Sequence, residues 1–449
     1  MGYDSATFSR CRGRPKPKKW SRLTKPSTRT SVEQLMPDIP IADALLSALL
    51  NRDEAALSTI ETHRAAECAS IRTVVCTDNP GAVDLDLGLS VFSNDYVTSF
   101  FEGPRAFFLS AGTSVQAHLT GGRSNVLIDF SLSFDSNFAE KIRAVIAGEN
   151  IQKADRDRVI ELLMLKARNR RVQFDVVPFL IENVRLARDD PSNKRPLNTL
   201  IAFRMLDHVD WDAFRDAPDR LAFDVPSQDL KVMLRPEAEN YLVELHASKL
   251  ITHQEAKSAG TQALLLRFAR LWHEERKKDK KRILRELLRF SIHKLGAIQL
   301  TEIRLIWSGM TSNQGSPFFG PIIGRSHEML KEIRGMAWDM TLLRVMEQIA
   351  TVSQVGSFFI PYFVSLDRRW RHLLRLNPVR LMLIDDARQH VLFARADELE
   401  FQRALEECTQ AELQSEMTPE KIEIRRRSAQ AIDLDTMQQL VVDEERHWL

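Results

Sequence analysis

Residues 130–137 read FSLSFDSN, and residues 358–367 read FFIPYFVSLD. In each stretch an apolar run that is typical of a strand ends on an aspartate, at Asp135 and at Asp367. The near-continuous apolar run of the second stretch is typical of a strand buried on both faces, as in parallel sheets covered by helices. Ligand sites of such sheets form at the carboxyl ends of the strands. We therefore predict an α/β core with a central parallel sheet that includes residues 126–134 and 358–366.

The composition is that of a globular protein. The chain has 449 residues, 44% hydrophobic and 28% charged, which is enough for a sizeable core and two or three compact units. No apolar run approaches the roughly 20 residues of a membrane-spanning helix, and the N-terminus has no apolar signal core. The four cysteines are scattered, without metal-finger spacing or a disulfide framework. We expect a reduced, cytoplasmic protein with no membrane partner.

The net charge of +2 is unevenly distributed. Residues 1–30 contain nine Lys or Arg and one Asp and so carry +8, which leaves −6 on the other 419 residues. This segment is also rich in proline and poor in apolar residues, and we predict a disordered basic tail. It could bind nucleic acid as a flexible arm, with Trp20 stacking on a base, or it could be a solvated tail.

The chain divides by composition into further segments. Residues 31–120 combine a helical pattern at 32–66 with short Val-, Phe- and Leu-rich runs, which predicts an N-terminal α+β region. Residues 121–400 contain the two strand-to-aspartate stretches and long helical patterns, and we assign the core to them. Residues 401–449 predict a helical C-terminal tail.

Asp135 lies where the first strand passes into a helix. Asp129 shares its strand face but is six residues away, roughly 20 Å of strand, so both carboxylates cannot hold one ion if the strand is straight. Asn137 could orient Asp135 by a hydrogen bond. The alternative is that Asp135 or Ser136 only caps the helix.

Two more carboxylates lie on or beside apolar helix faces. Asp339 lies three residues after Met336 and four before Leu343, on an apolar face. Glu182, in VVPFLIENVRLA, borders such a face. A buried carboxylate needs a partner or a metal to offset its desolvation. For Glu182 the alternative is a surface ion pair with Arg185 or with Arg188.

In chain order, these motifs resemble the site of PIN-like nucleases. The motifs and the residues that match are FDSN (Asp135, Asn137), LIEN (Glu182), AWDMTLL (Asp339) and FVSLD (Ser365, Asp367). The resemblance covers residues 130–180 and 330–390 and implies a Rossmann-like parallel-sheet core. Because 157 residues separate Glu182 from Asp339, it also requires a large helical insertion at about 190–325.

The resemblance implies the chemistry as well. Asp135, Asp339 and Asp367 would hold Mg²⁺ or Mn²⁺, Glu182 would complete the catalytic set, and Asn137 and Ser365 would orient the ligands. The expected function is that of an endoribonuclease, in which a metal-activated water attacks a phosphodiester. The expected partner is nucleic acid, RNA rather than DNA. The alternative is a non-catalytic nucleic-acid-binding or regulatory protein with a degenerate nuclease-like core.

Other segments suggest nucleic-acid chemistry in weaker ways. The segment ERKKDKKRILRELLR at 275–289 is either a phosphate contact or a solvated helix face. Residues 218–231 have the spacing of a PD-(D/E)xK nuclease, with Asp219, Asp229 and Lys231. The Arg-x-His motif of HEPN ribonucleases is resembled, with a spacing one residue too short, at residues 289–293 and 368–372.

Overall fold

The computed structural model describes residues 40–448 except 90–93, 123, 191, 219, 275–278, 313–316, 351–356, 377, 389, 410, 417 and 430–431. The predicted basic tail, residues 1–30, lies outside this described part. The fold is mixed α/β and mostly helical.

Nine strands form two sheets. The strands are β1 (Ile71–Cys76), β2 (Val83–Asp84), β3 (Val97–Ser99), β4 (Arg105–Leu109), β5 (Ile128–Phe134), β6 (Val172–Asp175), β7 (Phe358–Val364), β8 (Val379–Asp385) and β9 (His390–Arg395). Sheet A has the order β2-β4-β1-β8-β9 and is antiparallel. Sheet B has the order β3-β7-β5-β6, with β7, β5 and β6 parallel and β3 antiparallel to β7.

Twenty α-helices surround the sheets in the described residues. The first ten are α1 (Ile41–Asn51), α2 (Glu54–His63), α3 (Ala65–Cys68), α4 (Ala111–Leu119), α5 (Ser136–Ile146), α6 (Lys153–Arg168), α7 (Val177–Asp189), α8 (Arg195–Met205), α9 (Trp211–Asp216) and α10 (Ser227–Ala247). The others are α11 (Lys249–Glu274), α12 (Lys280–His293), α13 (Leu300–Thr311), α14 (Gly320–Ile323), α15 (Met329–Ile349), α16 (Arg368–Leu376), α17 (Glu398–Cys408), α18 (Ala411–Glu416), α19 (Pro419–Ala429) and α20 (Leu434–Glu445).

The predicted parallel arrangement of the two strands is confirmed, within a sheet that also has one antiparallel strand. Strands β5 and β7 are hydrogen-bonded neighbours in parallel register, from Ile128 opposite Phe358 to Phe134 opposite Val364. All seven residues of β7 are buried, as its apolar sequence predicts. The carboxyl ends of both strands therefore reach the same edge of sheet B, where Asp135 and Asp367 follow.

A proline within an inner strand needs an explanation, because it has no N–H to donate to the ladder. The Ser365 N–H donates toward β3, to the Tyr96 carbonyl, whereas the Val364 carbonyl accepts from Asp135 on the β5 side. Alternation along the strand thus directs the Pro361 nitrogen toward β3. Because β3 ends with Ser99 opposite Tyr362, Pro361 interrupts no ladder hydrogen bond there.

The N-terminal strands and the last strand pair form one sheet. β1 pairs with β8 from Ile71 opposite Asp385 to Val75 opposite Leu381. The sequence-based division placed these segments in different units, residues 31–120 and 121–400, but the backbone hydrogen bonds of sheet A join them. Phe108 of β4 also packs edge-to-face on Phe358 of β7, with ring centroids 5.0 Å apart, so the two sheets share a core.

The helical parts differ in detail from the sequence pattern. Residues 32–66 were predicted to look helical, and the described part of them forms three helices, of which α1 ends at Arg52 in the left-handed region (φ 52°). From 195 to 311 the described elements are the helices α8–α13 and one 3-10 turn. The C-terminal helices pack on this body, and Gln262 of α11 donates to Glu445 of α20 at 3.2 Å.

No helix in the described ranges is long and apolar enough to cross a membrane.

Candidate metal centre

Asp135 is held at the carboxyl end of β5 by three hydrogen bonds. Its N–H donates to the Val364 carbonyl at 3.1 Å and so extends the pairing with β7 by one residue. Its carboxylate accepts from the Phe138 N–H at 2.7 Å, which caps α5, and from the Ser365 hydroxyl at 2.5 Å. The helix-cap alternative is therefore observed, and the buried carboxylate has a second partner on the neighbouring strand.

Ser365 connects the two strand-end aspartates. It is fully buried, donates to Asp135, and accepts from the Asp367 N–H at 2.9 Å. Asp367 is exposed and accepts from the Arg369 N–H at 2.7 Å. The side chain of Asn137 is exposed on the first turn of α5. The side-chain hydrogen bond that orients Asp135 thus comes from Ser365.

Glu182 is tied to the same edge through a serine. The Ser136 hydroxyl, one residue after Asp135, donates to Glu182, and Asn183 donates to the Ser136 oxygen at 2.7 Å. Arg185 lies instead against Glu255 at 4.0 Å and above the Trp338 ring. The half-buried Glu182 is therefore not the surface ion pair with Arg185 that the sequence left open.

The four predicted carboxylates act on one another electrostatically. Burial raises the pKa of Asp339 on α15 well above its ordinary value, and the charges of Asp367, Glu182 and Asp135 raise it further, whereas Arg369 lowers it. Burial also raises the pKa of Asp135 to about 6, and Glu182 and Asp367 add to that increase. The hydrogen bonds from Ser365 and Phe138 oppose it. The structure thus brings together carboxylates from α7, α15 and the ends of β5 and β7.

The donor set suits a hard divalent cation, because Mg²⁺ and Mn²⁺ prefer carboxylate oxygens. The raised pKa values come first from burial and then from the neighbouring carboxylate charges, and a bound cation would offset both effects. In this conformation the arrangement is open: across the described residues, no three His, Cys, Asp or Glu side chains are grouped so that they could hold a metal ion. The carboxylates are nevertheless close enough to raise the pKa of Asp135 and of Asp339.

A further strand-end aspartate was missed in the sequence. Asp175 ends β6, the parallel neighbour of β5, and it accepts from the Ser133 hydroxyl at 2.7 Å and the Val177 N–H at 2.8 Å. Burial raises the pKa of this carboxyl. The sequence contains a signal for this residue, because VQFD at 172–175 repeats the pattern of a strand that ends on an aspartate. Neighbouring carboxylates contribute nothing to this shift, so Asp175 stands apart from the four coupled acids.

Two of the competing sequence patterns lie elsewhere in the fold. Asp229 and Lys231 are on the helix α10, not on the strand hairpin that a PD-(D/E)xK nuclease requires, and Asp219 lies outside the described residues. The described part of the basic segment 275–289 is on α12, where Lys281 pairs with Glu407 and Arg285 donates to the Cys408 carbonyl. These contacts direct part of its positive charge toward α17.

In comparisons with known proteins, the chain matches no family model, no curated protein and no solved structure.

Proposed function

We propose that the chain is a Mg²⁺- or Mn²⁺-dependent nuclease that cleaves phosphodiester bonds as an endonuclease, in RNA in preference to DNA. The observation that carries the proposal is the electrostatic coupling of Asp135, Glu182, Asp339 and Asp367 at the carboxyl edge of two adjacent parallel strands. The preference for RNA rests on the resemblance to PIN-like nucleases alone.

Each carboxylate would have a defined part in the site. Asp135, Asp339 and Asp367 would hold the ion, with Glu182 beside them. A bound divalent cation lowers the pKa of a coordinated water and stabilises the charge that develops on a phosphodiester. Ser365 fixes the orientation of Asp135, which limits the entropy lost on ligation. Ser136 holds Glu182 in the same way.

The second candidate is a non-catalytic nucleic-acid-binding or regulatory protein with a degenerate nuclease-like core. One observation favours it: in the described residues the carboxylates do not form a closed metal-binding group. Under this proposal Asp135 would serve as a helix cap and as the partner of Ser365.

The decisive experiment compares Asp135→Asn and Asp367→Asn with the wild type on labelled single-stranded RNA and DNA. Cleavage is measured with Mg²⁺, with Mn²⁺ and with EDTA, and melting is recorded with and without metal. Asp175→Asn is the matched control, because Asp175 is also a strand-end aspartate but is not coupled to the four acids. We expect each site variant to lose about a hundredfold or more of the activity and most of the metal-induced stabilisation, and the control to keep both.

Two results would count against the nuclease. Undiminished cleavage by both site variants would remove the carboxylates from the chemistry. Stabilisation by metal in a wild type that cleaves neither substrate would favour the regulatory protein.

A further inference from the structure

A second concave site opens next to Asp367. It is a cavity of about 450 Å³ between α16, α6 and the turn that precedes β3. The residues that line it are Asp95, Arg158, Leu366, Arg368, Arg371, His372 and Arg375. Leu366 and Arg368 are the chain neighbours of Asp367, so the cavity begins directly beside the carboxylate edge.

The cavity has more positive charge than its own residues neutralise. Four arginines face one aspartate in its lining. Asp95 pairs with Arg158 at 3.0 Å, and Arg375 donates to the Asn94 carbonyl at 2.7 Å. The Nε of Arg371 is buried and has no hydrogen-bond partner in the described structure.

The pKa of Arg371 is consistent with a cavity that has an excess of positive charge. Burial lowers the pKa of its guanidinium, and the charge of Arg375 lowers it next. Asp95 opposes this, and the weaker effects of Arg368 and Arg158 again lower the pKa. Arginines that repel one another around a cavity favour the binding of an anion. A phosphate group suits them best, because the planar guanidinium fork binds its oxygens in pairs.

We propose that this arginine pocket binds a phosphate group of the nucleic-acid strand next to the bond that is cleaved. The proposal rests on the proposed nuclease function. It identifies a source of the positive charge that the carboxylate edge lacks. Four carboxylates repel a polyanion, so a substrate strand needs cations within reach of the scissile bond. The pocket places them one residue along the chain from Asp367.

The phosphate has two possible sources, a strand end or an internal phosphodiester. Both have the same chemistry, and two RNA oligomers distinguish them. One carries a 5′-phosphate and the other a 5′-hydroxyl, and both carry a fluorophore at the 3′ end. Tighter binding of the 5′-phosphate oligomer, lost in pocket variants, would assign the pocket to a strand end. An equal loss for both oligomers would assign it to an internal phosphodiester.

Binding is measured by fluorescence anisotropy in EDTA, over a range of salt concentrations, for the full chain. The double variant Arg368→Gln/Arg371→Gln is compared with the wild type and with Arg403→Gln, an exposed arginine on α17 outside the pocket. We expect the double variant to lose about tenfold or more in affinity, and the slope of log Kd against log salt to fall by about 0.7 for each phosphate contact removed. The control should match the wild type in both.

An unchanged affinity and slope in the double variant would overturn the proposal, as would a wild type that binds neither RNA. If the double variant fails to fold, the single variant Arg368→Gln answers the question, because Arg368 is exposed. The two proposals fail separately. Pocket-dependent binding without cleavage would contradict the nuclease but not the pocket, and cleavage with pocket-independent binding would contradict only the pocket.

Discussion

At the scale of single residues, Asp135 is a candidate metal ligand whose buried negative charge lowers the stability of the fold. Its folded-state pKa of about 6 lies above the ordinary value of 3.8. The native state therefore binds this proton more tightly than the unfolded chain does. From about pH 4 to about pH 6 the free energy of unfolding therefore falls as the pH rises. Above pH 6 the ionised Asp135 lowers the stability of the protein by its full amount, roughly 3 kcal/mol.

The variant Asp135→Asn tests this linkage without metal. Asparagine caps helices as well as aspartate does and can still hydrogen-bond to Ser365, but it has no charge to bury. We expect the apo variant to melt no lower than the wild type at pH 7, and its melting temperature to vary less between pH 4 and pH 7. The measurement is thermal melting in EDTA across that range. A clearly lower melting temperature at pH 7 would make Asp135 a structural residue that needs its charge.

The sequence indicated some of these residues because their signal is local. Asp135 and Asp367 follow apolar strand runs, and Asp339 interrupts an apolar helix face. Other contacts have no local signal: Ser136 and Glu182 are 46 residues apart, and only the packing of α5 against α7 brings them together. The hydrogen bond from Ser365 to Asp135 also has no local signal, because the two residues are 230 positions apart and meet only through the pairing of β5 with β7.

At the scale of elements, α16 combines two faces with different functions. Trp370, Leu373 and Leu374 are buried, whereas Arg368, Arg371 and Arg375 line the pocket. Trp370 packs on Phe363 of β7, with ring centroids 4.1 Å apart, and so fixes the helix to the strand that leads to Asp367. Its indole N–H is buried and lacks a hydrogen-bond partner within the described structure.

Two substitutions at position 370 separate packing from hydrogen bonding. We expect Trp370→Phe to change the free energy of unfolding by less than about 1.5 kcal/mol, since it keeps an aromatic ring and removes an unsatisfied donor. Trp370→Ala should cost about 3–5 kcal/mol and weaken RNA binding, because it leaves a cavity under the arginine-bearing helix. Urea denaturation and anisotropy measure the two effects. Similar losses for both variants would mean that the indole N–H has a partner in solution.

The sequence predicted elements better than it predicted their pairing. The apolar patterns of β5 and β7 indicated a common parallel sheet, and the register confirms it. The sequences of β1 and β8 are just as apolar. However, no local sequence feature indicates that these strands, some 300 residues apart, pair with each other. The apolar spacing at 32–66 predicted continuous helix, whereas the structure breaks the helix at Arg52. Apolar periodicity does not reveal a single residue in the left-handed conformation.

At the scale of the whole molecule, a buried ion cluster connects sheet A to the helix that carries Asp339. Glu347 of α15 is 3% exposed, and it accepts from Arg395 of β9 at 2.5 Å and from Arg344. Glu302 of α13 is buried beside Arg344. The cluster thus joins α13, which the sequence analysis assigned to the helical insertion, to α15 and β9, which it assigned to the core.

The variant Glu347→Gln tests whether this cluster holds the parts together. The substitution removes the carboxylate charge that pairs with Arg395, which is 5% exposed, and breaking a buried ion pair typically costs about 3–5 kcal/mol. The exposed pair Lys153–Asp157 is the control, and Lys153→Ala should cost less than about 1 kcal/mol. Urea denaturation followed by circular dichroism gives both values. If Glu347→Gln proves as mild as the control, the pair between Glu347 and Arg395 contributes little to stability and the cluster does not join the two parts. If it lowers stability by the expected amount and splits a single transition into two, sheet A and the helical body are separate folding units that this cluster couples.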